Sequence, residues 1–130
     1  MGDSAETVAR NRELLTKITG PIQFMNQVHG DEVVEVKRIG EDPTCDALIT
    51  RESGIALAVM VADCIPLLLS SSTVIGAVHV GRRGLMNSVA VKAVDAMRKL
   101  GADQIHAQLG PSICGRCYEV PQELADEVVA

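Results

Sequence analysis

The sequence predicts a domain that mixes α-helices with β-strands, and three observations carry that expectation. Nearly half of the 130 residues are apolar, enough to enclose one core. Two stretches, Asp3 to Gly20 and Leu85 to Gly101, repeat apolar residues at helical spacing. Around them run short apolar or alternating segments punctuated by glycine, proline and aspartate, as strands are.

In the first stretch Asp3 or Ser4 is the cap, Glu6 stands in the first turn, Val8, Leu15 and Ile18 share a face, and Gly20-Pro21 stops the helix. Residues 22–29, IQFMNQVH, read as a strand closed by a turn at Gly30 and Asp31. EVVEVKR, residues 32–38, alternates Val34 and Val36 with charge, the pattern of a half-exposed strand. EDPT is loop and CDALIT, residues 45–50, a short strand. Residues 54–72, GIALAVMVADCIPLLLSSS, are apolar on both alternating faces and read as two buried strands hinged near Asp63 to Pro66, since Pro66 cannot donate to a central ladder. That hinge lets the Asp63 carboxylate and the Cys64 thiol leave the core. TVIGAVHV, residues 73–80, is a further buried strand with His79 on the side of Ile75 and Ala77.

GRRG then precedes the clearest helix, capped by Asn87 or Ser88, with a buried stripe of Ala90, Ala93, Val94, Met97 and Leu100, and ended by Gly101. DQIHAQLG is a strand on which His106 faces outward, PSICGRC is a loop, and VPQELADEVVA starts a helix with Pro121 in its first turn. This last helix has barely begun at Ala130, so the expectation is a piece of a longer protein.

Composition excludes several functions. The net charge is −5, lysine and arginine are scattered, and Phe24 and Tyr118 are the only aromatics. A nucleic-acid surface needs a basic stripe and stacking platforms, so no nucleic-acid partner is expected. The longest apolar run, Ile55 to Leu69, is too short to span a bilayer and is broken by Asp63 and Pro66. A cytoplasmic protein without a membrane partner follows. In that compartment Cys45, Cys64, Cys114 and Cys117 should be free thiols or metal ligands. Oligomeric state leaves no mark on the sequence.

His29, Cys64 and His79 lie on or near strand ends, and two imidazoles with one thiolate suit zinc with a fourth position open to water. Their wide spacing forms no compact metal motif, so each taken singly also reads as a core histidine or an inert core cysteine. Asp63 either orients a water or an imidazole N–H, or caps a turn. Arg82 and Arg83, flanked by glycines before a helix, suit an anion such as phosphate, or are solvated loop residues. Asn26 and Gln27 either hydrogen-bond a ligand or close the strand end. Cys114 and Cys117 form a single CxxC, a weak zinc signal that reads first as an incidental thiol pair and leaves a redox or metal role open.

NQVHG (26–30), CDALIT (45–50), ADCIP (62–66), HVGRRG (79–84) and GPSICGRCYEV (110–120) stand in the order and spacing of the YfiH-type family. That family is also described as multicopper polyphenol oxidoreductase, laccase-domain or purine nucleoside phosphorylase proteins, and the resemblance covers nearly the whole chain. It implies an α+β fold with mixed β-sheets layered with helices, in an α/β/β/α arrangement. It implies one zinc held by His29, Cys64 and His79, a single domain incomplete at both ends, and further arginine-containing site motifs after Ala130. It also implies phosphorolysis of purine nucleosides and deamination of adenosine. Zinc lowers the pKa of water toward neutrality, which suits attack at C6 of adenosine. Arg83 matches the family arginine, whereas Arg82 stands where many members carry tryptophan. The small-molecule partners implied are a purine nucleoside and phosphate, with a peptidoglycan precursor as another substrate class.

Three alternatives remain open on the sequence. Cys64 and His79 also suit a cysteine hydrolase, with the thiol as nucleophile and the imidazole as base. The same ligands suit copper in a polyphenol oxidase, although the histidine-rich motifs of a true multicopper oxidase are missing. A structural metal module without turnover is the third.

Overall fold

A computed structural model describes residues 3–129. Along them run α1 (Ala5–Thr19), β1 (Ile22–Gln23), β2 (Val33–Glu35), β3 (Ala47–Thr50), β4 (Ala56–Leu57), β5 (Ile65–Ser70) and β6 (Ile75–Val80). Then follow α2 (Arg82–Met86), α3 (Val89–Lys99), β7 (His106–Leu109) and α4 (Gln122–Val129). The main sheet has the order β2-β3-β6-β5-β7, with β2 parallel to β3 and the other neighbours antiparallel. β1 and β4 pair in parallel as a separate small sheet. These mixed sheets with helices are the α+β class expected.

Strand alternation explains the layering. Ala47 and Ile49 point from β3 to one face, where Val78, Leu67 and Leu69 join them against Val89, Ala93 and Met97 of α3. Leu48, between them, points to the other face and packs with Met25, Val36 and Cys45, flanked by Leu57 of β4. The main sheet is therefore covered by α3 on one side and by the β1-β4 layer on the other. Each fully buried side chain of this core contributes about 1.5–3 kcal/mol of transfer free energy. The apolar stripe read from the sequence is the one α3 buries, with Val89 added at its start.

Other expectations are corrected. In α1 the Ser4 hydroxyl accepts from the Thr7 N–H as a cap should, but Val8, Leu15 and Ile18 are exposed and the helix buries no residue. It is tied down by Arg12, which lies 4.0 Å over the Phe24 ring and pairs with Asp42 at 2.8 Å. The strand expected over 22–29 stops at Gln23, where its pairing with β4 ends; beyond it only Asn26 makes an isolated bridge, to Thr44, and His29 turns to a φ of 59°.

The break in the long apolar stretch lies before Pro66, through a bend at Ala62 to Cys64, while Pro66 is the second residue of β5. Proline is tolerated there because the ladder to β7 begins at Leu67, where a donor exists, and the Pro66 carbonyl still accepts the Gly110 N–H at 2.9 Å. A Cβ on Gly110 would lie 2.7 Å from Pro66 Cγ, so glycine is required opposite the ring. β5 is also less buried than its sequence suggests, with Leu68 and Ser70 exposed.

The helix expected from a cap at Asn87 or Ser88 to Gly101 is α3, with Ser88 at its N-cap, but an additional short helix, α2, precedes it. Arg82 and Arg83 open the five-residue α2, and Ser88 turns into α3 at a φ of 62° without a side-chain cap bond. The C-terminal helix begins at Gln122, just after Pro121, and Ala130, the last residue of the stretch expected to be helical, lies outside the described residues. No helix among the described residues is long and apolar enough to cross a membrane.

Candidate metal centre

Three segments distant in sequence deliver His29, Cys64 and His79 to one point. His79 is the penultimate residue of β6 and is buried, on the sheet face of Ala77. Cys64 is half-buried at the end of the bend that feeds β5, where Pro66 pairs with His79 across the ladder. His29 occupies the turn after Val28. One ligand atom from each lies within 4.8 Å of the other two, and Cys64 Sγ is 3.9 Å from His29 Nε2. The imidazoles meet edge to face with centroids 4.7 Å apart.

Asp46 organises this convergence. Its buried carboxylate accepts the backbone N–H groups of Val28, His29 and Gly30 at 3.2, 3.0 and 2.7 Å, and His79 Nδ1–H at 2.7 Å. Its carbonyl also accepts the His79 N–H at 2.8 Å. Burial opposes ionisation, but the His79 hydrogen bond and the backbone donors outweigh it and hold the Asp46 carboxyl below the usual range. With Nδ1 committed to Asp46, His79 presents Nε2 to the other two ligands, the carboxylate–histidine arrangement that orients metal-binding imidazoles. The three backbone bonds also sustain the left-handed backbone of His29, which a β-carbon disfavours.

Gly81 forms the floor. A Cβ there would lie 2.9 Å from His29 Cδ2 and 3.3 Å from Cys64 Sγ, so any side chain would enter the ligand cluster. Sequence reading assigned no role to Asp46 or Gly81. The available signals were an acid opening a strand that is otherwise apolar and a glycine two residues after a candidate ligand.

The donor set fits a tetrahedral cation. Zinc bonds of about 2.0–2.3 Å put neighbouring ligand atoms about 3.3–3.8 Å apart; Cys64 Sγ and His29 Nε2 stand 3.9 Å apart, and all three atoms lie within 4.8 Å of one another. Three protein ligands leave one position free. Burial, then Asp63 and Asp46, push the Cys64 thiol up, the opposite of the shift that activates a free cysteine nucleophile.

Beside the cluster lies a cavity of about 410 Å³, which Cys64 and Gly81 border. Its walls are mainly apolar, from Leu85 of α2 to Val128 of α4, with Asp63, Arg82 and Tyr118 as polar exceptions. Asp63 is exposed at the bend, which explains its place in an apolar stretch. Arg82 Nη1 reaches Glu127 Oε2 at 3.0 Å and so ties α2 to α4. Arg83 is exposed.

The remaining candidates lie elsewhere. The Gln27 amide is paired with both the N–H and the carbonyl of Met60, at 2.8 and 2.7 Å. Asn26 Nδ2 donates to Thr44 Oγ1 at 3.2 Å. Both lie beyond β1, which ends at Gln23, and neither lines the cavity. Phe24, one of the two aromatic residues, is buried under Arg12 and does not line the cavity. Cys45 is wholly buried, and desolvation pushes its thiol up to about 11.

Fold and cluster together define a class: α+β proteins with a candidate imidazole–thiolate metal site beside an apolar cavity. The chain belongs to the family described as multi-copper polyphenol oxidoreductase laccase, whose model matches residues 1–130. It is 48% identical to a purine nucleoside phosphorylase of Streptomyces coelicolor, over 100% of this chain and 58% of that protein. A purine nucleoside phosphorylase of Corynebacterium glutamicum is 40% identical over 100% and 58%. Among solved structures it resembles a Neisseria meningitidis protein of family DUF152, with a TM-score of 0.88 and 36% identity over 96% of this chain and 53% of that one. YlmD from Geobacillus stearothermophilus gives 0.86 and 28% over 96% and 53%. The chain thus spans a little over half the length of these relatives.

Proposed function

We propose that the protein is a zinc-dependent enzyme of purine nucleosides, cleaving adenosine, inosine and related nucleosides with phosphate and deaminating adenosine in the cytoplasm. The observation that carries this reading is the convergence of His29, Cys64 and His79 at the edge of an apolar cavity large enough for a small ligand. The naming of relatives as purine nucleoside phosphorylases supports the substrate class.

His29, Cys64 and His79 would hold the zinc, which would supply a Lewis acid and lower the pKa of a water. The chain's own residues supply the rest. Asp46 fixes the His79 ring and the turn that carries His29, so neither ligand reorients during turnover. The apolar walls and the Tyr118 ring receive the purine and exclude bulk water. Asp63, at the same rim, is the group placed to hold a proton on its carboxylate as water adds at C6 and ammonia leaves. In phosphorolysis a phosphate oxygen bonds to C1′ while the bond from C1′ to the purine nitrogen breaks. Arg82 and Arg83 bind that phosphate, with Arg82 exchanging its Glu127 carboxylate for the incoming anion.

Two other readings share these residues. The link from Asp46 to His79 also suits a cysteine hydrolase in which Cys64 pairs with His79, and the family's description favours copper and phenol oxidation. One experiment separates all three. The protein is purified without added metal, its zinc and copper are quantified, and adenosine, inosine and a phenol are assayed with and without phosphate. Zinc content, phosphate-dependent release of the base, ammonia from adenosine, and loss of all three in Cys64→Ala support the proposal. Copper with phenol oxidation, or metal-free protein with stoichiometric alkylation of Cys64, overturns it.

A further inference from the structure

Cys114 and Cys117 take no part in the cluster, yet they are exposed and their sulfurs stand 3.2 Å apart. The turn between them is closed by the Cys117 and Tyr118 N–H groups, both donating to the Cys114 carbonyl, at 2.9 and 3.1 Å. The backbone thus already brings the two thiols together, and ring closure needs little further ordering. We propose that this CxxC is a redox-active dithiol that forms a reversible intramolecular disulfide by exchange with small-molecule disulfides of the glutathione class.

The chemistry balances without a metal. The Cys114 thiolate attacks one sulfur of the oxidised small molecule, forming a mixed disulfide and releasing one thiolate. The Cys117 thiolate then attacks the Cys114 sulfur, forming the internal disulfide and releasing the second small thiol. The protein gives up two electrons and two protons, and one small disulfide becomes two thiols. Cys114 suits the attacking role, because the Cys117 thiol and then the backbone N–H groups of Arg116 and Cys117 lower its pKa, while hydrogen bonding to Cys114 raises that of Cys117.

The modification acts on the cavity wall. Ile113 and Tyr118, which flank the pair, both line the cavity, and the Ile113 N–H bonds the Asp63 carbonyl at 3.0 Å, next to Cys64. Closing the disulfide fixes the span between these two lining residues.

The sequence offers a direct assay, because trypsin cleaves after Arg116, between the two cysteines. The chain is equilibrated in glutathione buffers of graded ratio, thiols are trapped by alkylation, and the digest is examined by mass spectrometry. The expected product joins peptide 100–116 to peptide 117–130, two hydrogens lighter than their sum, and reduction separates them. The lone tyrosine gives a second readout: Tyr118 emission falls as the linkage forms and recovers with reductant. Cys117→Ser should retain glutathione on Cys114 as a mixed disulfide, which the intact pair resolves. Finding the two peptides always separate, or glutathione accumulating on Cys114 in the unsubstituted chain as it does in Cys117→Ser, would overturn the proposal.

Discussion

Asp46 holds both imidazole ligands, one through its ring and the other through its backbone, and the strongest single-residue predictions follow from it. Asp46→Asn keeps the shape but removes the charge, and metal affinity should fall 10–100-fold, measured by competition with a chromogenic chelator. Asp46→Ala strands three backbone donors and the His79 ring, and urea denaturation should show a loss of about 3–5 kcal/mol. Because the carboxyl is depressed in the fold, its contribution is complete above the unfolded value of about 3.9 and fades as pH falls through the lower folded value. The stability gap between the unsubstituted chain and Asp46→Asn, both metal-free, should therefore be full at neutral pH and narrow in acid. Gly81→Ala should weaken metal binding at least tenfold by intruding on His29 and Cys64, whereas Gly115→Ala, with open space around it, should leave affinity unchanged. The three candidate ligands, which the fold brings within 4.8 Å of one another, were legible because histidine and cysteine are chemically distinctive. Asp46 and Gly81 were not, since an aspartate before a strand also reads as a turn residue, and a glycine's role depends on what approaches it in space.

Helix α3 shows where local pattern suffices. Its stripe repeats at helical spacing and one partner, the main sheet, covers it, so sequence and structure agree on Ala93, Val94 and Met97. Met97→Ala should cost about 2–5 kcal/mol by urea denaturation, and Val91→Ala on the exposed face less than about 0.5 kcal/mol. Helix α1 shows the opposite case: its periodicity identified the helix, but periodicity carries no information about what lies against a face, and Val8, Leu15 and Ile18 stay exposed. Pro66 misled for a related reason. Its missing donor matters only where a neighbouring strand asks for one, and the β7 ladder starts a residue later. The left-handed turn at Ser88 separates α3 from the unexpected α2, and the strand expected over 22–29 already ends at Gln23, six residues before the left-handed turn at His29.

Across the whole molecule, the centre draws one ligand from the turn after Val28, one from the bend before β5 and one from the end of β6, and Asp46 from the start of β3 joins two of them. A cation bound only by the folded arrangement stabilises it by mass action, by about 4 kcal/mol when free metal exceeds Kd a thousandfold. Removing it with a chelator should lower Tm, and restoring zinc should bring Tm back. The five ordered motifs imply this convergence by resemblance, whereas spacing alone does not. The most direct test is X-ray absorption at the zinc edge on the purified chain. One zinc per chain with two nitrogen scatterers near 2.0 Å and one sulfur near 2.3 Å is expected, the sulfur shell vanishing in Cys64→Ser. An unchanged sulfur shell in Cys64→Ser, or zinc surrounded by oxygen alone, would contradict a centre built from His29, Cys64 and His79.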